Sequence, residues 1–179
     1  MGRRRADAMS PDPHFSASRR AFLKLPSQPE IQRLRPPWTD EALVAARCTS
    51  CNACSEACPE SILRPDDTGR PEVVFDGGEC TFCGKCAEAC AQDVFDMKRT
   101  PAWPMKAEFQ PGCLQDHGIA CQVCRDICPT SAIRIDLTKR PFGRLRIETD
   151  ACTGCGACLP VCPQDALAII HPKEDAQTA

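Results

Sequence analysis

Sixteen cysteines fall into four groups, and three groups keep the spacing C-x2-C-x2-C-x3-C. They are Cys48, Cys51, Cys54 and Cys58; Cys80, Cys83, Cys86 and Cys90; and Cys152, Cys155, Cys158 and Cys162. The remaining group, Cys113, Cys121, Cys124 and Cys128, has the same pattern with its first gap stretched to seven residues. Three thiolates at i, i+3 and i+6 on a tight loop can grip three iron corners of a cubane, and the cysteine four residues on reaches a different cluster. Proline follows the last cysteine at Pro59, Pro129 and Pro163, as in bacterial ferredoxin runs, whereas Ala91 stands there in the second group. The pattern predicts up to four 4Fe-4S clusters, with all sixteen cysteines as ligands.

Two other uses of cysteine fit less well. Disulfide frameworks rarely repeat so regularly, and no cleavable signal sequence is visible. Zinc ribbons use two CxxC pairs separated by a longer gap, whereas C-x2-C-x2-C would crowd three ligands and strand the fourth.

The rest of the composition points the same way. The 179 residues include no tyrosine, seven phenylalanines and two tryptophans, so a large aromatic core is not expected. Small cores need covalent or metal staples, and here the clusters would serve. The formal net charge of −2 is unevenly spread. Residues 1–47 carry nine Lys/Arg against five Asp/Glu, and the remainder thirteen against nineteen. Each oxidised cluster with its thiolates adds about −2 more by charge counting. An acidic body with a basic arm suits docking to basic partners, or solubility alone. No basic patch interleaved with aromatics suggests nucleic-acid binding. No apolar stretch is long enough for a transmembrane helix.

Residues 1–47 read as a basic, Pro-rich arm ending in a short helix over Thr39–Ala46, with Thr39 or Asp40 as N-cap. Within it, Ser18-Arg19-Arg20-Ala21-Phe22-Leu23-Lys24 matches the twin-arginine export motif. The residues that follow are polar and broken by Pro26 and Pro29, without the apolar run or small-residue cleavage site of a working signal. Three readings stay open: a solvated basic arm, a docking element for a twin-arginine-linked partner, and an atypical signal. Arg35-Pro36-Pro37-Trp38 forms a rigid, extended approach to the first cluster region, and Trp38 is expected to pack on the body rather than cap the first cluster.

The segments after each last cysteine align as repeats. Strands are expected at Pro71–Phe75, Ile133–Asp136, Leu145–Glu148 and Leu167–Ile170. Short helices are expected to start at Ser55–Ala57, Ala87–Ala89, Arg125–Ile127 and Leu159–Val161. The fold class is therefore α+β: two tandem ferredoxin-like units of two clusters each, at residues 48–99 and 113–172. Residues 100–112 have linker composition, and 173–179 form a tail.

If each unit exchanges its last cysteines, the first site takes Cys48, Cys51, Cys54 and Cys90, and the second Cys80, Cys83, Cys86 and Cys58. The third takes Cys113, Cys121, Cys124 and Cys162, and the fourth Cys152, Cys155, Cys158 and Cys128. An alternative pairs the first group with the fourth and the second with the third. Small residues between the cysteines, such as Gly84, Gly154 and Gly156, let backbone N–H groups approach the sulfurs. In the stretched group the longer loop sets Cys113 apart; His117 could replace it or tune the cluster, although a lone loop histidine is more often solvated. No phosphate loop, serine nucleophile motif or paired carboxylates with a supporting histidine is present, so the chain is not read as an enzyme. The chemistry expected is one-electron transfer or handling of the clusters themselves.

The order of these features resembles the NapF family, ferredoxin-type accessory proteins of the periplasmic nitrate reductase system in Gram-negative bacteria. The resemblance covers nearly the full length. It rests on Ser18-Arg19-Arg20, Arg35-Pro36-Pro37-Trp38, the four cysteine groups, the stretch from Cys113 to Cys128, and Arg99-Thr100 with Trp103. It implies a cytoplasmic protein without a cleaved signal. It implies binding to the precursor of the catalytic molybdenum subunit before export, and help in assembling or loading that subunit's 4Fe-4S cluster. A plain electron carrier is the competing reading, and an oxygen or redox sensor a third. Ala91 and a longer arm depart from the family's pattern.

Metal-binding free energy becomes folding free energy in small metallo-domains. Anaerobic chelation of the iron is therefore expected to abolish cooperative unfolding in circular dichroism. An iron-free chain that still melts cooperatively would show that the staples are dispensable.

Overall fold

Each cysteine group forces a tight loop, so only short helices and strands fit between the loops. The computed structural model describes residues 33–139 and 141–171. The twin-arginine-like segment Ser18–Lys24 and the tail 173–179 lie outside the described residues. The elements, in chain order, are α1 (Glu41–Arg47), α2 (Ala53–Glu56), β1 (Leu63–Pro65), β2 (Pro71–Val73), α3 (Lys85–Glu88) and β3 (Lys106–Phe109). A 3-10 turn at Leu114–His117, α4 (Val123–Asp126), β4 (Ile133–Asp136), β5 (Arg144–Ile147) and β6 (Leu167–Ile170) complete them. Among the described residues no helix is long and apolar enough to cross a membrane.

Two antiparallel hairpins repeat the same chemistry. In one, Leu63 pairs with Val73 and Pro65 with Pro71. In the other, Ile133 pairs with Ile147 and Asp136 with Arg144. Each bend is held by an aspartate whose side chain replaces backbone partners. Asp66 Oδ1 accepts from the Thr68 N–H at 2.8 Å and hydroxyl at 2.6 Å. Asp136 Oδ1 accepts from the same groups of Thr138 at 3.0 and 2.6 Å.

The one-turn helices α2, α3 and α4 each carry the third cysteine of a group, and they begin two residues earlier than expected. The helix expected at Leu159–Val161 does not form; the backbone there makes only turns. Pro160 is the reason. In α2, α3 and α4 the N–H groups of Glu56, Glu88 and Asp126 donate to the carbonyls of Asn52, Gly84 and Gln122. Pro160 holds the equivalent position and has no N–H. The Leu159 N–H to Gly156 carbonyl and Cys162 N–H to Leu159 carbonyl bonds survive, at 2.9 and 3.1 Å.

The stretch 100–112, linker-like by composition, contributes to the core. Trp103 and Met105 are 4% and 3% exposed. Strand β3 follows them and pairs antiparallel with β6, Lys106 opposite Ile170 and Phe109 opposite Leu167. Charged residues at Lys106 and Glu108 hid this strand from a reading of apolar runs.

Residues 33–47, read as part of the arm, are also built in. Trp38 lies edge-on to Phe82 at 6.2 Å, and Trp103 packs on both Phe75 and Phe82. Few aromatics are present, but both tryptophans join one cluster. The Trp38 N–H donates to the Ala102 carbonyl at 2.7 Å, and its carbonyl accepts from the Asp96 N–H at 2.7 Å. Helix α1 is capped by Asp40, whose Oδ1 accepts from the Leu43 N–H at 2.8 Å. Arg99 clamps the same aspartate at 2.6 Å.

Arg35 binds this lead-in to the first hairpin. It donates to the Pro71 carbonyl at 2.8 Å and to Asp66 Oδ2 at 2.9 Å, and its other edge pairs with Glu41. The Arg35 and Asp66 side chains are 5% and 1% exposed. Burial tends to raise the Asp66 pKa, but the hydrogen bonds from Thr68, Arg70 and Arg35 hold it below the usual carboxylate range. A depressed carboxylate stabilises the fold above its unfolded value and loses that contribution as pH falls towards the folded value.

Arg33 also pairs with Asp66, at 2.6 Å, so removing Arg35 takes away the buried cation and its hydrogen bonds but leaves Asp66 one partner. Arg35→Ala is therefore expected to cost about 1.5–3 kcal/mol of unfolding free energy, read from anaerobic denaturant titration of the holo-protein. A change under about 0.5 kcal/mol, the size of an ordinary surface substitution, would show that Arg35 does not tie the lead-in down.

Candidate metal centres

The cysteine loops are shaped by backbone that few residues adopt. In the first group Ser50 and Asn52 have φ of 56° and 65°; in the second Phe82 and Gly84 have 52° and 78°; in the last Gly154 and Gly156 have 72° and 85°. These are the same two positions of each loop, two and four residues after its first cysteine. Left-handed residues turn successive N–H groups toward one side, as in anion-binding nests. Ser50 and Phe82 hold this conformation at a cost of about 1 kcal/mol each. At Gly156 a side chain is also excluded from outside, because a Cβ would strike the Phe75 ring.

Three cavities open at these loops, each ringed by four cysteines from two groups. The first is lined by Cys48, Cys51, Cys54 and Cys90. The second is lined by Cys58, Cys80, Cys83 and Cys86, with Trp38 in its wall. Trp38 thus borders the second cavity, not the first. The third cavity is lined by Cys128, Cys152, Cys155 and Cys158. Of the remaining cysteines, Cys124 is buried in one core, and Cys113 and Cys162 pack against that core. Among the described residues no group of three or more His, Cys, Asp or Glu closes tightly enough to hold a single metal ion. Four thiols spread around a cavity are instead the donor set of a cubane. When bound, such a cluster supplies one-electron exchange.

Burial sets the state of the thiols. It pushes Cys80 and Cys158 up to about 12, and Cys86 and Cys124 up to about 11. Cys54 and Cys155 are raised for the same reason. These thiols hold their protons at neutral pH, so ligation must expel them. Cys128 goes the other way: burial opposes ionisation, but hydrogen bonds from Thr130, Ala132 and Ile133 outweigh it. Donors already reach other sulfurs, with the Ala107 N–H 3.4 Å from Cys152 Sγ and the Ala166 N–H 3.3 Å from Cys162 Sγ. Such bonds tune a cluster's potential.

The stretched group is built differently. Gln122, at the position of Asn52 and Gly84, has φ of −133° and is not left-handed. The inserted residues form the 3-10 turn, and Gln115 pins it. Its Nε2 donates to the Phe142 carbonyl at 2.6 Å and the Gly143 carbonyl at 3.3 Å, and its Oε1 accepts from the Cys121 N–H at 3.0 Å. Gln115 is 4% exposed, whereas His117 at the end of the turn is exposed. Gln115 went unnoticed in the sequence, and a polar residue inside an insertion gives no signal of burial. Ala91 also has a local consequence. In the proline-bearing groups the N–H of Ser61, Ser131 or Asp165 returns to the carbonyl of the last cysteine, with φ near 50° at all three. In the second group Val94 donates to Gln92 instead, at 2.6 Å.

Gln115→Ala removes the latch between the insertion and the β4–β5 bend. Iron release to a chelator is expected to gain a fast phase of about one cluster per protein, the other three keeping their rates. Uniform release from all sites would show that Gln115 does not secure this one.

Comparison with known proteins gives the family. The 4Fe-4S dicluster domain matches twice, over residues 47–94 and 119–166, so each match spans two cysteine groups and Cys113 lies outside the second. The chain therefore has cysteines for up to four 4Fe-4S clusters. It is 44% identical over 143 residues to the ferredoxin-type protein NapF of Haemophilus influenzae, covering 79% of this chain and 81% of that protein. It is 36% identical over 154 residues to NapF of Escherichia coli K12, covering 86% and 94%. The methylamine utilization ferredoxin-type protein MauM of Methylorubrum extorquens is 30% identical over 178 residues, covering 86% of this chain and 79% of that protein. Two dicluster domains, the stretched third group and identity across most of both chains place this chain in the NapF family of ferredoxin-type proteins.

Proposed function

We propose that this chain is a polyferredoxin-type iron–sulfur protein that acts on the precursor of the catalytic molybdenum subunit of periplasmic nitrate reductase. It would bind that precursor in the cytoplasm and assist assembly or loading of its 4Fe-4S cluster before export, without being an enzyme itself. The relatives named NapF support the partner. The ligand sets are the four exchanged sets given above, one cysteine of each coming from the neighbouring group. The two units span residues 48–99 and 113–172, and the basic arm serves as a docking handle.

One observation carries the loading role. Among the four cysteine groups, only the third has its first two ligands separated by an insertion and lacks the left-handed residue before its helix. A donor needs one site that lets its cluster go while the others stay, and a loop held to the hairpin by one glutamine latch and one exposed Asp116–Arg144 pair suits that. The second reading is a ferredoxin-type electron carrier. It is favoured by the cavities themselves, which put several cysteine sites side by side in one packed body.

Anaerobic mixing of the reconstituted protein with the cluster-free catalytic subunit separates the two. For a loading factor, iron and sulfide are expected in the re-isolated subunit, together with activity. If no iron moves and the loaded enzyme accepts electrons from the reduced protein, the loading role fails and the carrier stands.

A further inference from the structure

The spatial order of the four sites differs from their order along the chain. In the first pair, Cys54 of the first site acts on Cys86 of the second, and α2 lies against α3. In the second pair, Cys124 of the third site and Cys158 of the fourth lie in one buried cluster. Between the pairs, the contact is made by the second and fourth sites. The Cys80 N–H donates to the Cys155 carbonyl at 2.7 Å. Beside it the Glu79 charge acts on Cys155, and Phe75 fills the space over Gly156. Gly154 lies equally close to the Met105 backbone, where a Cβ would come 2.5 Å from the carbonyl oxygen. Among the described residues, no backbone hydrogen bond joins a cysteine of the first or third site to the other pair.

We propose that electrons cross the molecule in the order first, second, fourth, third site, and that the Cys80–Cys155 backbone hydrogen bond is the step between the two halves. The proposal rests on the ligand assignment made above. A ligand's backbone N–H meeting another ligand's carbonyl makes a path of covalent bonds interrupted by one hydrogen bond. Each transfer oxidises one cluster by one electron and reduces its neighbour by one, with no bond formed and no proton moved. The first and third sites are then the two ends of the path. The site with the stretched loop becomes a terminus rather than an interior relay, although it stands third in the chain.

Electron paramagnetic resonance of the holo-protein, fully reduced by titanium(III) without air, tests the order, because adjacent reduced clusters broaden each other's signals. Cys113→Ala with Cys121→Ala removes the third site, and Cys128→Ala with Cys155→Ala removes the fourth. Each pair should lower iron by about four atoms per protein, one cubane. Loss of the third site is expected to leave no isolated signal, because first, second and fourth remain contiguous. Loss of the fourth is expected to free the unbroadened signal of an isolated third cluster. The reverse pattern, with iron lowered as stated, overturns the order alone. Iron that does not fall by one cluster overturns the ligand assignment and the order with it. The serine pairs give the same discrimination where an alanine pair does not fold.

Discussion

Each half of this protein buries cysteine where a domain of its size ordinarily buries leucine or phenylalanine. Cys124, Cys152 and Cys158 sit in one core beside Ile133, Leu145 and Leu167, and Cys54 sits in the other beside Ile62, Leu63 and Val73. A buried thiol packs as a small hydrophobe, but at a cavity it leaves the core incomplete. The hairpins and one-turn helices have little to stand on apart from these residues, since a two-stranded hairpin is marginal by itself. Burial also raises the thiol pKa values, so ligation would couple the loss of protons to closing the core.

Around this cysteine core, the rest of the chain supplies fixed points. Arg35 ties the lead-in to the bend of the first hairpin. Trp38 and Trp103 bring the lead-in and the inter-unit stretch onto Phe82. The wall of the second cavity is thus made partly by residues distant from its cysteines in the chain. Strand β3 meets β6, so the last described strand returns to the start of its own half.

The repeats are alike in chemistry but not in detail, and single residues account for the differences. Pro160 removes one N–H and with it the fourth short helix. Ala91 replaces a proline, and the turn after the second group bonds to a different carbonyl. A first gap of seven residues instead of two replaces a left-handed loop with a 3-10 turn and a buried glutamine. Phe82 holds a left-handed conformation that glycine holds in the last group, because its ring belongs to the aromatic cluster.

Spacing and alternation carried much of the local structure, though not the starts of the short helices or the turns at Leu159–Val161. The cysteine spacing marked residues that line three cavities, and strands β4 and β6 fell within the residues where the apolar pattern put them. These features depend on residues a few positions apart, and the backbone's own geometry translates such spacing into shape. Long-range partnerships left no such trace. Nothing in Lys106–Phe109 announces a strand, because its register is defined by β6 some sixty residues on. Nothing in Gln115 announces burial, because its partners lie on the β4–β5 bend. Cys80 and Cys155 look like any other cysteines in their groups until folding sets the N–H of one against the carbonyl of the other. The sequence by itself determined the chemistry and the local form of each cysteine loop. Only the tertiary structure decided which loops are neighbours, because contacts between distant segments depend on packing that spacing does not encode.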